Sequence, residues 1–114
     1  MNCHPNYPWY RGWHDSFRDL GLKIIGIHTP ETKAERNTEE LRREIRKAGF
    51  KFPVVVDNDM KNWSTWGNSM WPSVYLIDKR GYLRYWWYGE LKWQGTDGEK
   101  IMRGKIEELL AEKD

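Results

Sequence analysis

The sequence predicts an α/β domain: a mixed sheet between helices, in a three-layer α/β/α arrangement. Two short runs rich in β-branched residues, Leu22–His28 (LKIIGIH) and Pro53–Asp57 (PVVVD), are separated by a capped amphipathic segment. That alternation is the pattern of parallel strands joined by a helical crossover. A later pair of runs, Ser73–Asp78 (SVYLID) and Tyr82–Tyr88 (YLRYWWY), flanks Lys79-Arg80-Gly81 and reads as an antiparallel hairpin with glycine at the left-handed turn position. A last amphipathic segment closes the order.

The elements follow from local signals. Trp9, Trp13, Phe17 and Leu20 recur at helical spacing and Gly21 stops the run, which predicts a helix over 9–20 with Trp and Phe inward. Pro5 and Pro8 fall in or just before its first turn, where a missing N–H costs little. Leu22–His28 and Pro53–Asp57 read as buried strands, the second with proline at its first residue. Asn37-Thr38-Glu39-Glu40 is a capping box, and Leu41, Ile45 and Ala48 form an apolar stripe ending at Gly49, so 37–48 is a helix. The polar, aromatic stretch 58–71 holds one helical turn around Met60–Trp66. Thr96-Asp97-Gly98-Glu99 is a second capping box, launching a helix with Met102, Ile106, Leu109 and Leu110 on one face.

Composition narrows the function. A chain of 114 residues is one domain, able to bury roughly 65% of its unfolded surface. Net charge is +2 with 32% charged residues of both signs interspersed, unlike the clustered basic face of a nucleic-acid binder. No apolar run approaches the roughly 18 residues of a membrane span, and the N-terminus has no signal-peptide apolar region. One cysteine excludes an internal disulfide and leaves the compartment open. Among the eight Trp some must be core, because each buries a large area.

That cysteine, Cys3, stands just ahead of the first helix. There the unpaired N–H groups and the positive end of the helix dipole favour thiolate over thiol. The plain alternative is a small structural cysteine. His4, His14 and His28 match no zinc spacing, so no metal and no cofactor is expected. Trp86 and Trp87 must face opposite sides of their strand. With Tyr88 and Trp93 they read mainly as helix-covered core, and alternatively as an exposed aromatic platform.

The order of elements, with Trp71-Pro72 before the hairpin, resembles the thioredoxin fold. Within it the chain resembles the TlpA-like thiol-disulfide oxidoreductases, nearest to the C-terminal thioredoxin-like domain of the DipZ type. The residues that carry the likeness are GLKIIGIHTPE (21–31), FPVVVDND (52–59), WGNSMWPSVYLID (66–78) and GYLRYWWYGE (81–90), which keep the family's order and spacing. The family's site is Cys-x-x-Cys between a strand and a helix. Laid onto this sequence, Asn2-Cys3 matches its last two positions and Pro8 the proline inside the helix. The first cysteine would then lie one residue before Met1, and the central strand before it is absent. Two explanations suit that break: an open reading frame started at an internal methionine, or, as a hypothesis, a selenocysteine codon read as a stop. Upstream DNA with no strand-coding sequence ending in UGA or a Cys codon would end the second.

The resemblance implies thiol-disulfide exchange with a protein or small-molecule thiol or disulfide, and a resolving role for Cys3. It implies that Trp71 and a cis Pro72 present backbone to an extended substrate, and that Glu31 in HTPE assists proton transfer. The ordinary readings beside these are a trans proline opening a strand and a solvated glutamate. Peroxiredoxins share the fold, but their Thr-x-x-Cys site has no match here. The second functional reading is a non-catalytic thioredoxin-like module binding through the Trp71–Pro72 groove and nearby aromatics. Without a central strand, open strand edges predict marginal stability, a homodimer through strand exchange, or a closed-up sheet. Relatives usually work outside the cytoplasm; the compartment of this chain stays unassigned.

Overall fold

The computed structural model describes residues 6–28, 37–67, 72–92 and 97–113. The elements in order are α1 (Tyr7–Phe17), β1 (Gly26–His28), α2 (Thr38–Ala48), β2 (Val54–Val56), α3 (Lys61–Thr65), β3 (Ser73–Ile77), β4 (Leu83–Tyr88) and α4 (Gly98–Ala111). The predicted order is therefore reproduced, including the single helical turn after β2. Both kinds of pairing occur: β1 with β2 is parallel, and β3 with β4 is antiparallel. The chain divides into two compact units, Lys23–Ser69 on the one hand, and Met1–Leu22 with Met70–Asp114 on the other.

In the unit formed by the two ends of the chain, α1 enters with Pro8 in its first turn and buries Trp13 and Phe17. A 3-10 turn, Arg18–Leu20, extends it to Gly21. Leu20, expected on the core stripe, is 65% exposed at the rim of a shallow cleft shared with Phe17, Leu110 and Ala111. The hairpin turns at Gly81, whose φ of 89° is costly for a residue with a Cβ. Asp78 braces the turn by accepting from the Arg80 and Tyr82 N–H groups, each at 2.9 Å. A bulge between Leu76 and Ile77 shifts the register, so that Leu76 faces Tyr85 and Ile77 faces Leu83. Helix α4 buries Met102, Ile106 and Leu109 of the predicted stripe, while Leu110 is half-buried. It approaches β4 at Gly98, where a Cβ would lie 2.4 Å from the Leu91 carbonyl oxygen and 2.6 Å from the Trp87 ring. Asp97, not the predicted Thr96, sits at the N-cap of α4, without a side-chain capping bond, and Thr96 lies outside the described residues.

The unit Lys23–Ser69 is built from shorter pieces. Asn37 caps α2 as predicted, its Oδ1 accepting from the Glu39 and Glu40 N–H groups at 3.0 and 3.2 Å, and Gly49 closes the helix. The two runs expected to be buried strands are three residues each in the ladder, and their apolar side chains stay open. Ile27 and Val55 face each other across the pair and are 46% and 52% exposed. A strand is buried only where something covers each face, and its own pattern cannot supply that cover. On the other face, Phe52 is buried against Gly26 and stacks on Phe50 with centroids 4.6 Å apart. Asp57 continues the ladder by donating its N–H to the His28 carbonyl at 2.8 Å. Its carboxylate accepts from the Asn62 and Trp63 N–H groups at 3.1 and 3.0 Å and so caps α3.

Candidate functional site

Three of the four predicted site residues, Cys3, Glu31 and Trp71, lie outside the described residues. So does Trp93 of the predicted aromatic platform. What the structure describes is the frame around them: the head of α1, which follows Cys3 in sequence, and Pro72, which follows Trp71.

The head of α1 is unusual in what it does with its N-cap residue. Asn is among the best N-cap residues because its side-chain oxygen can accept from the second or third N–H of its own helix. Asn6 makes no such bond. It is 1% exposed, and its amide reaches instead to a loop more than eighty residues away in sequence. Its Oδ1 accepts from the Leu91 N–H at 2.8 Å. Its Nδ2 donates to the Gly89 carbonyl at 3.4 Å and to the Tyr10 hydroxyl at 3.0 Å. The first turn of α1 also carries no acidic side chain, so no carboxylate offsets the positive end of this helix there.

Pro72 is buried. Its carbonyl accepts from the Gly89 N–H at 2.7 Å, just beyond the Ser73–Tyr88 pair that opens the ladder. Gly89 therefore holds Pro72 with its N–H while Asn6 holds Gly89 by its carbonyl. Nothing in the local sequence signals this link beyond one polar residue in an otherwise aromatic first turn.

The two faces of the hairpin differ. Trp87 turns toward α4, its ring against Gly98 and its indole N–H donating to the Glu90 carbonyl at 3.2 Å. Trp86 and Tyr88 take opposite faces from their strand neighbours, as expected for alternation, and each is 53% exposed. Tyr75 lies across from Trp86 and meets Tyr88 edge-on at 6.3 Å. Burial raises the Tyr75 phenol above its usual range, and its hydrogen bond with Tyr88 adds to that. Trp87 is thus half-buried beneath α4, and an exposed aromatic face describes Trp86 and Tyr88. Lys92, on the loop after β4, places its ammonium 5.1 Å from the Trp9 ring centroid at the start of α1.

Among the described residues, no three His, Cys, Asp or Glu side chains gather in a way that could hold a metal ion. His14 belongs to α1 and His28 to β1. No described helix is long and apolar enough to cross a membrane.

Comparison with known proteins gives this frame a family. The AhpC/TSA family pattern matches residues 1–86. The chain belongs to the AhpC/TSA family. It is 33% identical over 97 residues to protein DipZ of Mycobacterium tuberculosis (strain CDC 1551 / Oshkosh), a match that covers 85% of this chain and 14% of DipZ. It is 23% identical over 110 residues to the thiol-disulfide oxidoreductase YkuV of Bacillus subtilis (strain 168), covering 96% of this chain and 70% of YkuV. A solution structure of a thioredoxin-like protein in the oxidized form superposes with a TM-score of 0.83 at 22% identity, over 100% of this chain and 72% of that one. The fold of the chain is thioredoxin-like, and the resemblance read from its four quoted segments is borne out.

Proposed function

We propose that this chain takes part in thiol-disulfide exchange, with Cys3 as its reacting thiol and Pro72 as the floor of the groove that aligns the substrate backbone. The observation that carries the reading is the hydrogen-bonded link from Asn6, three residues after Cys3, through Gly89 to the Pro72 carbonyl. Likeness to DipZ and YkuV supports the reaction class. In the step assigned to Cys3, its thiolate attacks one sulfur of a disulfide. A new S–S bond forms to that sulfur, the old one breaks, and the other sulfur leaves as a thiolate that takes up a proton. As a resolving thiol, Cys3 attacks the mixed disulfide between a partner cysteine and the substrate and releases the substrate thiol. Glu31 is assigned the proton, and Trp71 the backbone contact to an extended protein or small-molecule disulfide. We also propose that residues 1–114 act as one thioredoxin-like domain, since the structural match runs across both compact units.

The test is insulin reduction by dithiothreitol, followed for this chain and for a version extended upstream by a strand ending in Cys-x-x-Cys with Cys3 as its second cysteine. Acceleration by the extended version that is lost on Cys3→Ser supports the assignment. Activity in neither chain sinks it.

A second reading, a non-catalytic module that binds a partner beside Pro72, is favoured by the exposed Trp86 and Tyr88 on the same hairpin. It predicts peptide binding that survives Cys3→Ser and weakens in Trp86→Ala. A homodimer through open strand edges is the remaining partner proposal; a sedimentation mass of one chain across the micromolar range would remove it.

A further inference from the structure

We propose that Asn6 is a positioning residue for this exchange: its amide fixes the Gly89–Leu91 loop, and through Gly89 the Pro72 carbonyl, relative to the head of the helix that follows Cys3. The inference rests on the reading of Pro72 as the substrate-aligning residue.

The argument begins with burial. An amide that is 1% exposed must satisfy its polar atoms inside the protein, and Asn6 does so with one acceptor and one donor used on the same three-residue loop. Accepting from Leu91 N–H and donating to Gly89 C=O is what a neighbouring strand's backbone would do. Asn6 thus imitates a peptide group and ties the loop to α1 at both of its polar positions. The Gly89 N–H is then directed at Pro72 with a short bond of 2.7 Å. Three segments far apart in sequence, at residues 6, 72 and 89–91, are joined by hydrogen bonds that only an amide side chain at position 6 completes. Aspartate keeps the acceptor for Leu91 but sets a carboxylate oxygen against the Gly89 carbonyl. Leucine keeps the volume and removes both bonds. Neither substitution removes a group that touches substrate, so small disulfides that need no alignment should still react with Cys3.

The experiment compares Cys3 reaction rates with Ellman's disulfide and with an extended peptide carrying a mixed disulfide, for the wild-type chain, Asn6→Asp and Asn6→Leu. Amide hydrogen exchange at Gly89 and Leu91 is measured alongside, in the wild type as well. The wild type should favour the peptide. Both variants should lose that preference by about tenfold or more, because small misplacements of an aligned reactant cost that much. The rate with Ellman's disulfide should change little in Asn6→Leu. In Asn6→Asp the added carboxylate at the helix head should slow both disulfides through the thiolate fraction and leave the peptide preference as the readout. Gly89 N–H protection should fall in both variants, and Leu91 protection in Asn6→Leu. Tyr10→Phe, which removes only the third partner of the amide, should behave as wild type. A Gly89 amide that exchanges at the wild-type rate in Asn6→Asp overturns the positioning role, as does an unprotected Gly89 amide in the wild type. A wild type with no preference for the peptide, but with Gly89 protection lost in the variants, rejects the groove reading while the structural link stands.

Discussion

The two compact units of this chain hold similar elements by different means. The unit formed by the chain ends buries Trp13, Phe17, Leu76, Leu91, Met102, Ile106 and Leu109 at 8% exposure or less. In the unit Lys23–Ser69, Phe52 is the only large apolar side chain among the described residues buried to that degree, while Ile25, Ile27, Val55 and Val56 are 42% to 63% exposed. The first unit is held by contacts between residues far apart in sequence. The second is held by the short β1–β2 ladder and by contacts a few residues long: the Asn37 cap, the Asp57 cap and the Phe50–Phe52 stack. Asn6 and Pro72, the described residues that flank Cys3 and Trp71 in sequence, belong to the unit with the interior.

The sharpest way to break that contrast is to hollow out each unit in turn. Met102→Ala should cost about 2–5 kcal/mol, the range for emptying a packed core position. Val55→Ala should cost about 0.5 kcal/mol, as at an open surface. Urea unfolding of both variants measures the difference. Equal costs would mean that the interior is not confined to one unit.

Next in size is Gly98→Ala. The new methyl meets a backbone oxygen and an indole ring, neither of which can turn aside, so α4 and β4 must part. Overpacking of this kind costs about 1–3 kcal/mol, and Trp87 should report it as a change in fluorescence and in near-ultraviolet dichroism. A neutral Gly98→Ala would show that the helix slides freely on the hairpin.

Asn37→Ala tests the other unit. Loss of an N-cap costs about 1 kcal/mol. Because α2 buries none of its residues, the loss should appear as faster amide exchange within 38–48 and leave 98–111 unchanged. Asn37→Ser, which retains a capping oxygen, should restore protection.

The same contrast explains what could be read from sequence. Caps and turns are written in adjacent residues, so Asn37 with Glu40, Gly49, and Lys79-Arg80-Gly81 were legible, and so was the α4 stripe, because one helix face repeats on a short period. Burial of β1 and β2 was misread because an apolar strand looks the same whether or not a neighbour covers it. Asn6 was invisible for a related reason. Its partners are residues 89 and 91, and no pattern of neighbouring residues points to them. Cys3 was a candidate from its place ahead of a helix, and Trp71 and Glu31 through resemblance, whereas the frame around Pro72 came from structure alone.

The smallest expected effect is electrostatic and lies at the closed end of the hairpin. Hydrogen bonding from the Tyr82 N–H holds the Asp78 carboxyl below its ordinary range, against the opposing effect of burial, and Arg84 and the Arg80 N–H add to the lowering. Arg84 also forks onto Glu112, at 2.7 and 2.8 Å, and Lys79 donates to the Leu110 and Glu112 carbonyls, so the turn is tied to the end of α4. The unfolded chain takes up the Asp78 proton first, near pH 3.9. Stability from this group is therefore complete above that pH and is lost as pH falls through the lower folded value. Urea midpoints should fall between pH 6 and pH 2.5 more steeply in wild type than in Asp78→Asn, which has no carboxylate to protonate. Arg84 is one-third exposed, so salt should flatten the wild-type slope toward that of the variant. Parallel slopes would mean that the backbone alone fixes the turn, and that the charges around it add nothing to the hold of the hairpin on α4.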